Sequence, residues 1–168
     1  YKQAADLGLP LSLSALSKCY LKGYGTQKSE KLALECAQNG MAKDDPESCY
    51  ILGLYYEYGT NTKIDYAKAI ECYEKALSLD IEVPERVYFY KALCYDKLKK
   101  YAKAVEFYKK AAALGYIAAQ YNLAMHYLNG EGISRNQLQA KNLLKKCALQ
   151  KDNQEIKRLA NEQLSKMN

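Results

Sequence analysis

The chain has no tryptophan, a single histidine and only three prolines among its 168 residues. Each shortage removes a class of answer. The lone histidine, His126, rules out chemistry that needs two imidazoles. So few prolines, with only 9 glycines, exclude a linker-rich or collagen-like chain. No stretch approaches the roughly 20 apolar residues that cross a bilayer as a helix. None of the six cysteines (Cys19, Cys36, Cys49, Cys72, Cys94 and Cys147) belongs to a C-x-x-C pair, so a zinc knuckle or a thioredoxin-type site has no support. No Asn-x-Ser/Thr sequon is present, which disfavours a glycosylated luminal protein. No alternation of Val, Ile and Thr marks a strand.

What is present is tyrosine, 17 of it, in a chain that is 49% hydrophobic and 26% charged. That balance is ordinary for a folded domain. The net charge of +6 is unevenly spread. Residues 1–85 hold 9 Lys and Arg against 13 Asp and Glu, a net of −4. Residues 86–168 hold 16 against 6, a net of +10. A basic half can attract nucleic acid, anionic lipid or an acidic protein, but a solvated helical face explains it as well. No aromatic-glycine RNA motif and no dense Lys/Arg run backs the first option, so no nucleic-acid partner is expected.

The chain repeats itself. Tyr20-Leu21-Lys22-Gly23 returns as Tyr56-Glu57-Tyr58-Gly59 and as Tyr127-Leu128-Asn129-Gly130. Ala33, Ala69, Ala104 and Ala140 follow one another at intervals of 36, 35 and 36 residues. Seven residues after each stand Gly40, Ala76, Ala111 and Cys147. Small residues in phase are what two closely packed helices require, and a period in this range signals a repeat array. Apolar steps of i, i+3, i+4 predict first helices over 10–22, 46–58, 85–98 and 117–129. They predict second helices over 28–42, 65–79, 101–114 and 135–149. Residues 1–8 match 108–115, so they read as the end of a preceding repeat helix in a longer array. Ile156, Leu159, Ala160, Leu164 and Met167 form a stripe that predicts a terminal capping helix within 152–168.

The phased residues carry a resemblance. Leu123-Ala124, Tyr127, Gly130, Gly132, Ala140 and Lys146-Cys147-Ala148 resemble a Sel-one-like repeat, a relative of the tetratricopeptide repeat. Leu52-Gly53, Tyr56, Gly59, Ala69, Tyr73 and Lys75-Ala76 carry the same frame. Leu16, Tyr20, Gly23 and Gly25 carry a looser one. Residues 85–115 have no glycine loop and are similar to a plain tetratricopeptide repeat, through Tyr88, Ala92, Tyr95, Tyr101, Ala104, Tyr108 and Ala111. Lys91 stands where that family has leucine, so looser packing is expected there. The array then divides into repeats 9–45, 46–83, 84–116 and 117–151.

The resemblance implies an all-α, right-handed α-solenoid of antiparallel helix pairs, with first helices on the concave side. It places Ser14, Tyr50, Phe89 and Tyr121 on that side, then Lys18, Leu54, Leu93 and Met125, and a turn later Glu57 and Asp96. Such a groove is aromatic and aliphatic, unlike the Lys, Asn and Arg set that grips acidic tails. The implied function is a protein–protein interaction scaffold that binds a partner protein or peptide. The alternatives are a cysteine-dependent accessory or hydrolase acting on bacterial wall material, or a basic-face nucleic-acid binder. Between Met125 and Tyr127, His126 reads as a structural histidine rather than a base. No catalytic set, metal set or cofactor motif stands out, so no enzyme activity and no cofactor are expected. A cytoplasmic protein, or one translocated into a host cytoplasm, is expected ahead of a secreted one. Self-association through the N-terminal end is a further expectation, because an open repeat end can stack on a copy.

Overall fold

The computed structural model describes residues 10–151 and 153–167, with side chains from residue 13 onward. The expected helix over residues 1–8 lies outside them. The described residues form α-helices and no strand: α1 (Pro10–Lys22), α2 (Glu30–Ala42), α3 (Pro46–Tyr58), α4 (Tyr66–Ser78), α5 (Pro84–Lys97), α6 (Tyr101–Ala113), α7 (Ile117–Asn129), α8 (Gln137–Ala148) and α9 (Gln154–Ser165). Every boundary of α1–α8 falls within two residues of the one expected from periodicity, and α9 lies inside the expected 152–168. The chain divides into two compact units, residues 1–87 and 88–168.

The joint inside each helix pair explains the phase of the motif. In the first unit the Tyr20 carbonyl accepts the Ser29 amide at 2.9 Å, and the Tyr56 carbonyl accepts the Asp65 amide at 2.9 Å. Ser29 and Asp65 then cap α2 and α4, accepting from the Leu32 and Lys68 amides. In the second unit the Tyr127 carbonyl takes the Asn136 amide at 2.9 Å, and Asn136 caps α8. A left-handed residue closes the preceding helix: Gly59 at φ 70° and Gly130 at φ 74°. The third repeat keeps the joint without the glycine. Lys99 takes the left-handed position at φ 57°, and the Lys100 amide reaches the Tyr95 carbonyl at 2.9 Å.

Packing follows the small residues. Ala33, Ala69, Ala104 and Ala140 are all fully buried, as are Ala76, Ala111 and Cys147. In the first unit a side chain on Gly53 would strike the Tyr73 ring, and Tyr73 is held there by its hydroxyl donating to Glu57 Oε2 at 2.7 Å. In the second unit α9 covers a cluster of Ala124, Ala140, Leu144 and Cys147, with Ile156, Leu164 and Met167 packed on it. Ala104→Leu is therefore expected to overpack a filled contact and cost about 1–3 kcal/mol. Urea unfolding checks this; an unchanged midpoint would contradict the packing described.

Lys91 corrects the expectation of loose packing. It is buried, and its ammonium stands 4.1 Å from the centroid of the Phe107 ring. Phe107 in turn stacks on Tyr95 at 5.5 Å. The lysine stem supplies apolar contact and its charge is stabilised by the ring face, so leucine is not needed.

Candidate functional site

In the second unit, α5, α6, α7 and the loop after α7 enclose an open pocket of about 370 Å³. Leu93, Asp96 and Lys97 come from α5, and Asn122, Met125 and His126 from α7. Both trios follow i, i+3, i+4, which puts each on one helix face. Tyr101 and Tyr108 come from α6, and Glu131 from the loop. Leu93 and Met125 supply the aliphatic part of the wall.

A hydrogen-bonded chain ties these elements together. Asn122 Nδ2 donates to the Tyr108 hydroxyl at 3.1 Å, and that hydroxyl donates to Asp96 Oδ2 at 2.7 Å. His126 Nε2 stands 3.2 Å from Asp96 Oδ2, and His126 Nδ1 stands 2.9 Å from the Glu131 carbonyl. The His126 side chain is only 6% exposed. Burial works against its charge, but the Asp96 hydrogen bond, the Glu131 carbonyl and the Asp96 charge prevail, holding the ring above its ordinary value of 6.5. The same acid–tyrosine contact occurs in the first unit between Glu57 and Tyr73.

The expected concave residues divide sharply. Leu93, Asp96 and Met125 meet in the pocket. Phe89 is half-buried, with its ring centroid 4.8 Å from that of Tyr116 and 6.0 Å from that of Tyr108. Tyr121 is half-buried against the α7–α9 cluster, and Leu54 is half-buried in the first unit. Lys18 is exposed and paired with Glu47 at 2.7 Å. Ser14, Tyr50 and Glu57 need correction as open groove residues, because all three are buried. Tyr50 packs beside Tyr73, with the Arg86 guanidinium over its ring at 5.6 Å, while Glu57 is engaged by Tyr73.

Sequence reasoning missed His126, Tyr101, Tyr108, Asn122, Lys97 and Glu131 as pocket residues. A signal existed: Tyr73 and Tyr108 share one repeat position, and Glu57 and Asp96 share another. A second cleft of about 490 Å³ lies beside Tyr101, lined by Lys99, Lys100, Ala102, Lys103 and Gly132. No cysteine lines either cleft. The six cysteines are free thiols, and burial pushes Cys49 and Cys147 up to about 11 and Cys72 up to about 12. Such thiols are not ionised near neutrality, so these three are poor nucleophiles.

The Sel1 repeat family model matches residues 10–40, 46–80, 88–116 and 117–152. The chain belongs to the Sel1 repeat family. The match includes the third repeat, where Lys99 replaces the loop glycine. A search of curated proteins finds no match. Among solved structures, a protective antigen of uropathogenic Escherichia coli with an SLR fold aligns at TM-score 0.83 and 25% identity. That alignment covers 99% of this chain and 35% of the antigen, so the chain spans about a third of that protein's length. A Sel1 repeat protein from Oxalobacter formigenes aligns at TM-score 0.73 and 25% identity, over 100% of this chain and 77% of that one. These likenesses make the fold an all-α solenoid of Sel1 repeats. Sel1 repeat proteins are generally protein-interaction scaffolds of non-enzymatic type.

Proposed function

We propose that this Sel1 repeat chain holds a segment of a partner protein at the α5–α7 pocket of its second unit. One observation carries the reading: equivalent faces of two consecutive first helices converge on one open pocket. Leu93 and Met125 form its aliphatic wall, where an apolar partner side chain fits. Asp96, Asn122 and Lys97 offer polar groups at its edge. Phe89 and Tyr121, half-buried on the same helices, extend the contact. Tyrosine and methionine give large contact area at modest entropic cost. We further propose a cytoplasmic setting, in the source cell or in a host, which six free thiols support.

The test is partner capture by the intact chain against the Leu93→Asp, Met125→Asp double variant, with helicity checked by circular dichroism. Losing a central apolar anchor of about 2 kcal/mol weakens binding by roughly 30-fold. Equal capture by a folded double variant would move the site elsewhere.

A further inference from the structure

We propose that His126 is a proton-operated latch that sets the form of this pocket, holding α5 and the Gly130–Gly132 loop to α7 both at once only while its ring is doubly protonated, and keeping α5 alone when it is not. The proposal rests on the pocket being the binding site and concerns its regulation. The two ring nitrogens dictate the state. Nδ1 faces the Glu131 carbonyl at 2.9 Å, and a carbonyl oxygen only accepts. Nε2 faces both Asp96 oxygens at 3.2 Å, and a carboxylate only accepts. Both nitrogens must therefore carry hydrogen, which makes the ring an imidazolium.

The surroundings leave no substitute. The ring is more than nine-tenths buried, so a lost partner of the ring leaves a polar group poorly solvated. From α5 it faces the Asp96 carboxylate, with Lys97 also on the pocket wall. From α6 it faces two phenols, Tyr101 at 6.1 Å and Tyr108 at 5.5 Å between ring centroids. Its own loop brings the Glu131 side chain to the same wall. When the proton leaves, one acceptor loses its donor. The carboxylate is the stronger acceptor, so Nε2 keeps its hydrogen and the Glu131 carbonyl is released. That carbonyl lies next to Gly132, which packs on the Tyr101–Ala102 peptide of α6, and Tyr101 and Glu131 both line the pocket. Proton loss thus loosens the wall to which a partner would bind.

The chain has one histidine, so its ring proton signal in NMR is unambiguous. The expected titration midpoint lies above 6.5, and the Glu131 and Gly132 amides shift with the same midpoint. Asp96→Asn removes the charged acceptor, and the midpoint falls to 6.5 or below. A wild-type midpoint at or below 6.5, or loop amides that ignore the titration, would overturn the latch. The wild-type titration decides even if the variant does not fold. It uses the free chain, so its outcome is read separately from the capture assay with the Leu93, Met125 double variant that tests the scaffold reading.

Discussion

Asp96→Ala is expected to cost the second unit about 3 kcal/mol below pH 6.5, the lower end of the range for breaking a buried ion pair. The lower end applies because Asp96 is about a quarter exposed, at 24%. The carboxylate accepts the Tyr108 hydroxyl and pairs with His126, whose side chain is 6% exposed. Removing it leaves a buried imidazolium without its counter-charge. The folded pKa of His126 is raised, so its contribution to stability is fully present below 6.5 and fades as pH rises through the folded value. The difference between wild type and variant must then be largest near pH 5.5 and smaller near pH 9. Tyr108→Phe removes a neutral hydroxyl that donates to Asp96 and accepts from Asn122, and should cost about 1 kcal/mol at both. Urea unfolding at the two pH values checks both variants. An Asp96→Ala penalty independent of pH would mean that the carboxylate acts only as an acceptor for Tyr108.

Gly132→Ala should be nearly as damaging. Gly132 adopts φ 69°, and an added Cβ would fall well inside van der Waals contact with the Tyr101–Ala102 peptide. A peptide cannot rotate away as a long side chain can. The left-handed conformation costs roughly 1–2 kcal/mol for a residue with a Cβ, and the clash adds about 1–3 more. Gly115→Ala is the control. That glycine has φ 88° but its Cβ would meet nothing within 4 Å, so only the conformational cost applies. Thermal unfolding should place Gly132→Ala well below Gly115→Ala. Equal losses would show that the loop does not bear on α6. Because Gly132 adjoins the carbonyl that His126 holds, Gly132→Ala should also move the histidine titration toward 6.5.

Most of the helical phase was legible because each repeat writes the same constraint. Small residues recur where helices touch, and Ala33, Ala69, Ala104 and Ala140 are buried as that demands. Ser29, Asp65 and Asn136 start the second helices near the positions periodicity gives, since their side chains cap the first turn. The groove was less legible. Helical phase names the face on which Tyr50 or Met125 stands but not what covers that face. Tyr50 is enclosed beside Tyr73 and Arg86, while Met125 reaches a pocket. The pairing of His126 with Asp96 lies outside any local pattern, because 30 residues separate them. Lys91 shows the same limit from the other side. Its charge reads as a fault until Phe107 and its stacked neighbour Tyr95 are seen beneath it.

Site-specific photo-crosslinking tests the central claim most directly. A photoreactive residue is placed at Met125, in the pocket, and separately at Leu138, which is exposed on α8 away from it. The partner-binding reading predicts a discrete protein adduct from position 125 and none from position 138, with the adduct lost when Leu93→Asp is added. An adduct from position 138 alone, or one from position 125 that survives Leu93→Asp, would contradict it.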